Sequence, residues 1–292
     1  MKILVAGAAG QVGRELVEMA VAQGLTVCGY DSKTLDITDQ AAVAAIIAAD
    51  SPDCVINAAA YTAVDRAETD SARAYQVNRD GVAHLARACR DADIPLLHIS
   101  TDYVFDGEQA TPYSEDDQPN PTSVYGASKL AGEEILAATW HKHVVLRVSW
   151  VFGRHGNNFV KTMLRVGRER DELNVVDDQF GAPTGAAAIA RVLLAIARHP
   201  QLGTDQLAWG VRHFASEPGL TWFAFANRIF AQATAKGLLT RAPRVNPITS
   251  AAYPTPVKRP ANSKLITSKN WPGDIPAVCD WPLELDTVLA SS

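Results

Sequence analysis

A doubly wound α/β sheet is the fold class that three observations in the sequence predict. Short apolar runs alternate with longer stretches of helical periodicity through the first half of the chain. The runs are apolar almost without a break, as in parallel strands covered on both faces. A glycine turn, Gly7-Ala8-Ala9-Gly10-Gln11-Val12-Gly13, closes the first run and opens the first helical stretch, as in a Rossmann-type βα unit.

Strands are expected at Ile3–Ala6, Thr26–Tyr30, Cys54–Asn57, Leu96–Ser100 and Val144–Val148. Between them, Val12, Leu16, Met19 and Ala20 recur at helical spacing, as do Ala127, Leu130, Ala131, Ile135 and Ala138. Right-handed crossovers would stack these units into one sheet. Beyond Trp150 the regularity fades, because Gly156, Pro183, Gly185, Pro200, Gly203 and Pro218 cut the chain into short pieces and Pro243 to Pro260 is proline-rich. Residues 1–150 are therefore expected to form an NAD(P)-binding domain, completed by helical segments within 186–235. Ala186–Arg198 and Trp222–Ala235 are the candidates to return to the main sheet. Residues 151–292 should form a smaller substrate-binding domain beside the carboxyl ends of the strands.

A chain of 292 residues has room for this arrangement, and 47% hydrophobic with 20% charged residues fits a globular protein with a large core. The formal charge of -5 gives no reason to expect nucleic-acid binding, while a local basic pocket for a phosphorylated small molecule stays open. The opening Met-Lys-Ile-Leu-Val-Ala-Gly runs straight into a strand, without the apolar region and cleavage site of a signal peptide. No apolar run reaches the roughly 20 residues that cross a bilayer, so no membrane partner is expected. Cys28, Cys54, Cys89 and Cys279 are far apart and read as reduced thiols of a cytoplasmic protein. The seven histidines show no metal-ligand spacing.

In the glycine turn, Gly7 permits the tight bend, Gly10 the approach of a pyrophosphate, and Gly13 the packing of helix on strand. Gln11, Val12 and Gly13 open the helix, whose unpaired N–H groups favour phosphate. Asp31 ends the second strand, where a carboxylate accepts from the adenosine ribose and favours NADH. Ser32 and Lys33 follow at once and could meet a 2′-phosphate, so NADPH or NADH stays open; Asp31 as a plain turn or cap residue is the other reading. Asp36 and Ile37 are placed beside the adenine. Ala58, Ala59 and Ala60 leave the third strand as small residues where bulk would collide with the cofactor.

Tyr125 and Lys129 form a Tyr-x-x-x-Lys pair on one helix face. A free tyrosine titrates near pH ~10 and a lysine near ~10.4, and a neighbouring ammonium would lower the phenol toward the range useful for proton transfer. Lys129 could also hold the nicotinamide ribose. Thr101, at the end of the fourth strand, could steady a substrate carbonyl oxygen beside Tyr125, with Ser100 the lesser candidate.

These residues, in this order, resemble the extended short-chain dehydrogenase/reductase family. The likeness covers nearly the whole chain through NAAAYTAVD at 57–65, STDYVFDG at 100–107, YGASKLAGE at 125–133 and RVSWVFG at 147–153. It continues through GNNFV at 156–160, VVDDQFGAPT at 175–184 and RPANS at 259–263. The resemblance implies reduction of C4 of a dTDP-linked 6-deoxy-4-keto sugar, with Tyr125 as proton donor and Lys129 and Thr101 in support. It places Asp102 and Trp150 against the sugar, and Asn158, Arg259 and Ser263 on the nucleotide part. Trp150 as a cleft-filling aromatic and Arg259 as a solvated charge are the plain alternatives. Some members dimerise around a metal held by two glutamates. Glu15 matches the first, but the second falls near Ala187, which cannot ligate, so no metal is expected and monomer or homodimer stays open. Other readings are a reductase of a different nucleotide-linked 4-keto-6-deoxy sugar, or a non-catalytic nucleotide-binding regulatory subunit.

Overall fold

Six parallel strands form the central sheet of the computed structural model, which describes residues 1–204, 207–268, 271, 275 and 279–291. Five are β1 (Lys2–Ala6), β2 (Thr26–Tyr30), β3 (Cys54–Asn57), β4 (Leu96–Thr101) and β5 (His143–Val148), each within a residue of its expected bounds. The spatial order is 2-1-3-4-5, with Gly210–His213 added beside β5. Alternation along each strand explains the two covered faces. In β1, Ile3 and Val5 enter one core while Leu4 and Ala6 enter the other.

The first face is covered by α1 (Gln11–Ala22) and the helix Ala186–Ala197, whose Ile189, Leu193 and Ile196 are fully or almost fully buried. The second face holds α2 (Gln40–Asp50), Gly81–Asp91 and Val124–Thr139. Caps fix where these helices start. Asp39 accepts from Ala41 and Ala42 N–H at the start of α2, and Ser123 accepts from Gly126 N–H at 3.1 Å. The second cap sets the register that brings Tyr125 and Lys129 to the carboxyl edge.

A third core lies outside the sheet. It joins the helices Phe159–Glu169, Trp222–Ala235 and Trp281–Ala290 to a parallel pair of strands, Glu172–Val176 and Arg244–Ile248. Trp222–Ala235 thus does not return to the main sheet: Phe225, Ile229 and Phe230 are buried in this third core. Its periodicity gave it an apolar face but could not say which core would cover it. The strand Gly210–His213 was missed because Gly-Val-Arg-His has no apolar run. Among the described residues, no helix is long and apolar enough to cross a membrane.

Strand order reverses at β1, so the loops after β1 and β3 diverge and leave a crevice at the carboxyl edge. The glycine turn and Ala58–Ala60 lie there.

Candidate active site

At the cofactor end, Gly7 adopts φ +82°, and a β-carbon on it would lie 2.5 Å from Ala59 N. Only glycine tolerates both that backbone and that approach. Gly7 and Ala8 N–H both donate to Tyr30 O, at 2.8 and 2.9 Å, which pins the turn to the end of β2. Gly10 caps α1 without any side-chain acceptor, and the first turn of α1 carries no acidic residue. Its N–H groups therefore fit a pyrophosphate, which supplies the acceptors that the chain does not.

Asp31 serves as a turn residue in this structure: its Oδ1 accepts from Lys33 N–H, Thr34 N–H and the Thr34 hydroxyl. Those bonds hold its carboxyl below the usual range. All three fall on one oxygen. Asp36 accepts from Thr38 N–H and its hydroxyl, with Arg73 3.4 Å from its other oxygen. Ile37 turns its side chain into the second core against Gly81.

At the catalytic end, Tyr125 is 9% exposed and Lys129 2%, on one face of the helix. The Thr101 hydroxyl donates to Asp102 Oδ1 at 3.1 Å and accepts from Tyr103 N–H at 3.2 Å. Tyr103 packs edge-on to Tyr125 with ring centroids 5.5 Å apart. Ser100 faces the same helix further along, where its hydroxyl donates to Glu133 rather than to the phenol. The expected lowering of Tyr125 by Lys129 is not found. Burial pushes the phenol up. Lys129 is instead turned to the Ile99 carbonyl at 2.8 Å and to His98 Nε2 at 3.1 Å. Burial brings its amine down to about 8.

A cavity of about 920 Å³ lies between the sheet edge and the third core. Trp150, Tyr103, Trp222, Asp65, Arg259 and Ser263 all line it. Trp150 adopts φ +46° and stacks on Trp222 with centroids 3.4 Å apart and planes 9° apart. A left-handed backbone at a tryptophan is strained. Arg259 donates to Asp65 Oδ2 at 2.5 Å and sits 3.5 Å from the Tyr103 hydroxyl, so it is no solvated surface charge. Asn158 is not brought to this cavity. It caps the Phe159–Glu169 helix at Lys161 N–H and donates to Gly153 O and to Gln11 Oε1, beside the glycine turn.

Asp102 is 4% exposed, and its Oδ2 has no hydrogen-bond partner. Burial pushes its carboxyl up to about 6, while the Ser263 and Thr101 hydroxyls pull it down. The unfolded chain loses this proton first as pH rises, so the folded state is penalised from 3.8 upward and fully above about 6. Two pH units correspond to about 3 kcal/mol. Asp102→Asn should therefore stabilise the fold by up to that amount above the folded value, with no gain below the unfolded one. Urea unfolding on both sides of this window tests it, and a pH-independent difference would refute it.

Glu15 is buried and paired through both oxygens with Arg154, at 2.9 Å each. Glu18 and His155 complete a group whose ligand atoms lie within 4.8 Å of one another. The same guanidinium lies on both carboxylates.

Asp65, Tyr103, Trp222 and His98 belong to this region and were not singled out by sequence reasoning. Asp65 and Tyr103 lie inside the motif strings at 57–65 and 100–107, so a signal existed. Nothing in the sequence around Trp222 marked it.

Together at the carboxyl edge, the glycine crevice and the Tyr125–Lys129 helix define a class, the nicotinamide-dependent oxidoreductases of Rossmann type. Comparison with known proteins carries this further. The chain belongs to the family described as the RmlD substrate binding domain, which matches residues 1–292. The dTDP-4-dehydrorhamnose reductase of Aggregatibacter actinomycetemcomitans is 47% identical over 269 residues, covering 92% of this chain and 91% of that protein. A crystal structure of the Clostridium acetobutylicum dTDP-4-dehydrorhamnose reductase superposes with a TM-score of 0.89 at 38% identity, covering 99% of each chain. The Bacillus anthracis dTDP-4-dehydrorhamnose reductase, solved in complex with NADP, also gives 0.89, at 32% identity over 100% of this chain and 99% of that one.

Proposed function

We infer that the chain reduces the C4 ketone of dTDP-4-dehydro-β-L-rhamnose with NAD(P)H to give dTDP-L-rhamnose, the last step of dTDP-rhamnose formation. The observation that carries the reading is the placing of Tyr125 and Lys129 on one helix face, with Tyr103 packed edge-on to Tyr125 and lining a cavity of about 920 Å³. The family membership and the names of the relatives support it.

The bound reduced nicotinamide supplies the hydride. The chain supplies the rest. Tyr125 gives its phenolic proton to the ketone oxygen as negative charge develops there. Thr101 hydrogen-bonds the same oxygen and steadies that charge. Lys129 holds the nicotinamide ribose. Asp102 and Trp150 take the sugar, and Arg259 and Ser263 the nucleotide part. Residues 1–150 are assigned to the cofactor and 151–292 mainly to the substrate, and the place of action is the cytoplasm, in keeping with four free cysteines.

Cofactor preference follows from the end of β2. Asp31 disfavours a 2′-phosphate that Ser32 and Lys33 could bind, so Asp31→Ala should shift the ratio of kcat/KM toward NADPH. An unchanged NADH/NADPH ratio would remove Asp31 from the ribose site. The function is tested by following nicotinamide oxidation with dTDP-4-dehydro-L-rhamnose made in the same tube and identifying the sugar formed. Formation of dTDP-L-rhamnose is expected. Binding of cofactor without turnover of this sugar would overturn the reading in favour of another keto sugar or a regulatory role.

A further inference from the structure

Against Lys129, the side chain of His98 is completely buried on β4. Its Nε2 lies 3.1 Å from Lys129 Nζ, and its Nδ1 lies 3.0 Å from the Asn57 side-chain nitrogen. The far side of that amide is fixed by the main chain, because Asn57 Oδ1 accepts from Ala59 N–H at 3.0 Å. A backbone N–H is a donor in every state. Asn57 therefore turns its oxygen to Ala59 and its NH2 to His98, and His98 Nδ1 must accept.

Burial pushes the imidazole well below its ordinary pKa, so the ring is neutral and its single proton sits on Nε2. That N–H points at Lys129 Nζ, where only a lone pair can receive it. An ammonium has three donors and no acceptor, whereas an amine can accept from His98 and still donate to Ile99 O.

We propose that His98 is a positioning residue that holds Lys129 as the free amine in the ligand-free protein, through a chain of donors that begins at Ala59. The consequence for catalysis rests on the ketone reduction inferred above; the donor chain does not. Other groups bear on the same site. On the helix of Lys129 these are Tyr125 and Glu133, the latter paired with Arg147 from β5. Thr101 closes β4, and His143 faces His98 from the start of β5, its own Nδ1 2.6 Å from Trp140 O. Glu133 favours the ammonium and burial favours the amine. For Lys129 to take a proton from solvent, its bond from His98 must break. Charging of the lysine thereby becomes a step that accompanies loading of the site.

The test uses the full chain without ligands. Histidine labelled with 15N, read through two- and three-bond proton correlations, reports the His98 tautomer directly. A protonated Nε2 and a bare Nδ1 near neutral pH are expected; a protonated Nδ1 or an imidazolium overturns the proposal. Asn57→Asp offers an acceptor oxygen to both Ala59 and His98, so the ring should change to Nδ1–H and accept from an ammonium. The Lys129 midpoint, followed by 13Cε resonances, should then move up by about one pH unit. An unchanged midpoint also overturns the proposal, and if this variant does not fold, the tautomer in the native chain decides alone. Neither reading needs turnover. An Nε2–H tautomer in a protein that reduces no ketone would sink the function and leave this inference standing.

Discussion

Tyr125→Phe should lower kcat for ketone reduction by about 10²–10⁴-fold, the range a positioned general acid contributes. The ring sits within a packed set with Tyr103, Ala67 and Ala74, which phenylalanine fills equally well. What is lost is the phenolic hydroxyl, the proton donor inferred above. Cofactor affinity, measured by fluorescence titration, should change little, because the glycine crevice lies elsewhere. A variant that turns over at the native rate would mean that the proton comes from another group, and the assignment of the pair would fall with it.

Arg147→Leu should destabilise the fold by about 3–5 kcal/mol, the cost of leaving a buried charge without its partner. Arg147 and Glu133 are each about 4% exposed, and Arg147 Nε and Nη2 reach both carboxylate oxygens at 2.6–3.1 Å. The guanidinium also lies over Phe105, 5.1 Å from the ring centroid. In the variant Glu133 would keep the Ser100 hydroxyl and lose its cation. Urea unfolding gives the loss. Adding Glu133→Leu to Arg147→Leu should recover part of it, since two apolar side chains leave no orphaned charge. If the double variant were less stable than the single, the pair would not be the source. Ser100 adjoins Thr101 in β4, so the same network holds the strand end on which the catalytic hydroxyl sits.

The sheet was legible because strands buried on both faces announce themselves as unbroken apolar runs, as in Ile3–Ala6 and Val144–Leu146. Gly7 was legible because backbone geometry admits no other residue there. Roles that depend on distant partners were not. Arg259 shows its partner Asp65 only in three dimensions, 194 positions away. Asn158 carries the same side chain whether it meets a nucleotide or caps a helix, and local bonding decided for the cap. Asp31 showed its place at a strand end but not the three donors that crowd one of its oxygens. His98 lies within a strand that was correctly bounded. Sequence gave no sign that it meets Lys129 on one side and Asn57 on the other.

The order in which the central sheet closes has a bearing on synthesis. Its last strand, Gly210–His213, and the helix Ala186–Ala197 that covers α1 both follow a long excursion into the third core. When residue 150 leaves the ribosome, β5 is still an open edge and the face of Ile3, Val5, Ile56 and Leu146 has only α1 of its two covering helices. Such an edge pairs readily with other chains. Folding therefore waits on contacts far apart in sequence, a topology that slows the search and lengthens exposure to aggregation. A fragment ending at residue 150 should be prone to aggregate during expression, whereas one extended through residue 213 would carry its own cover.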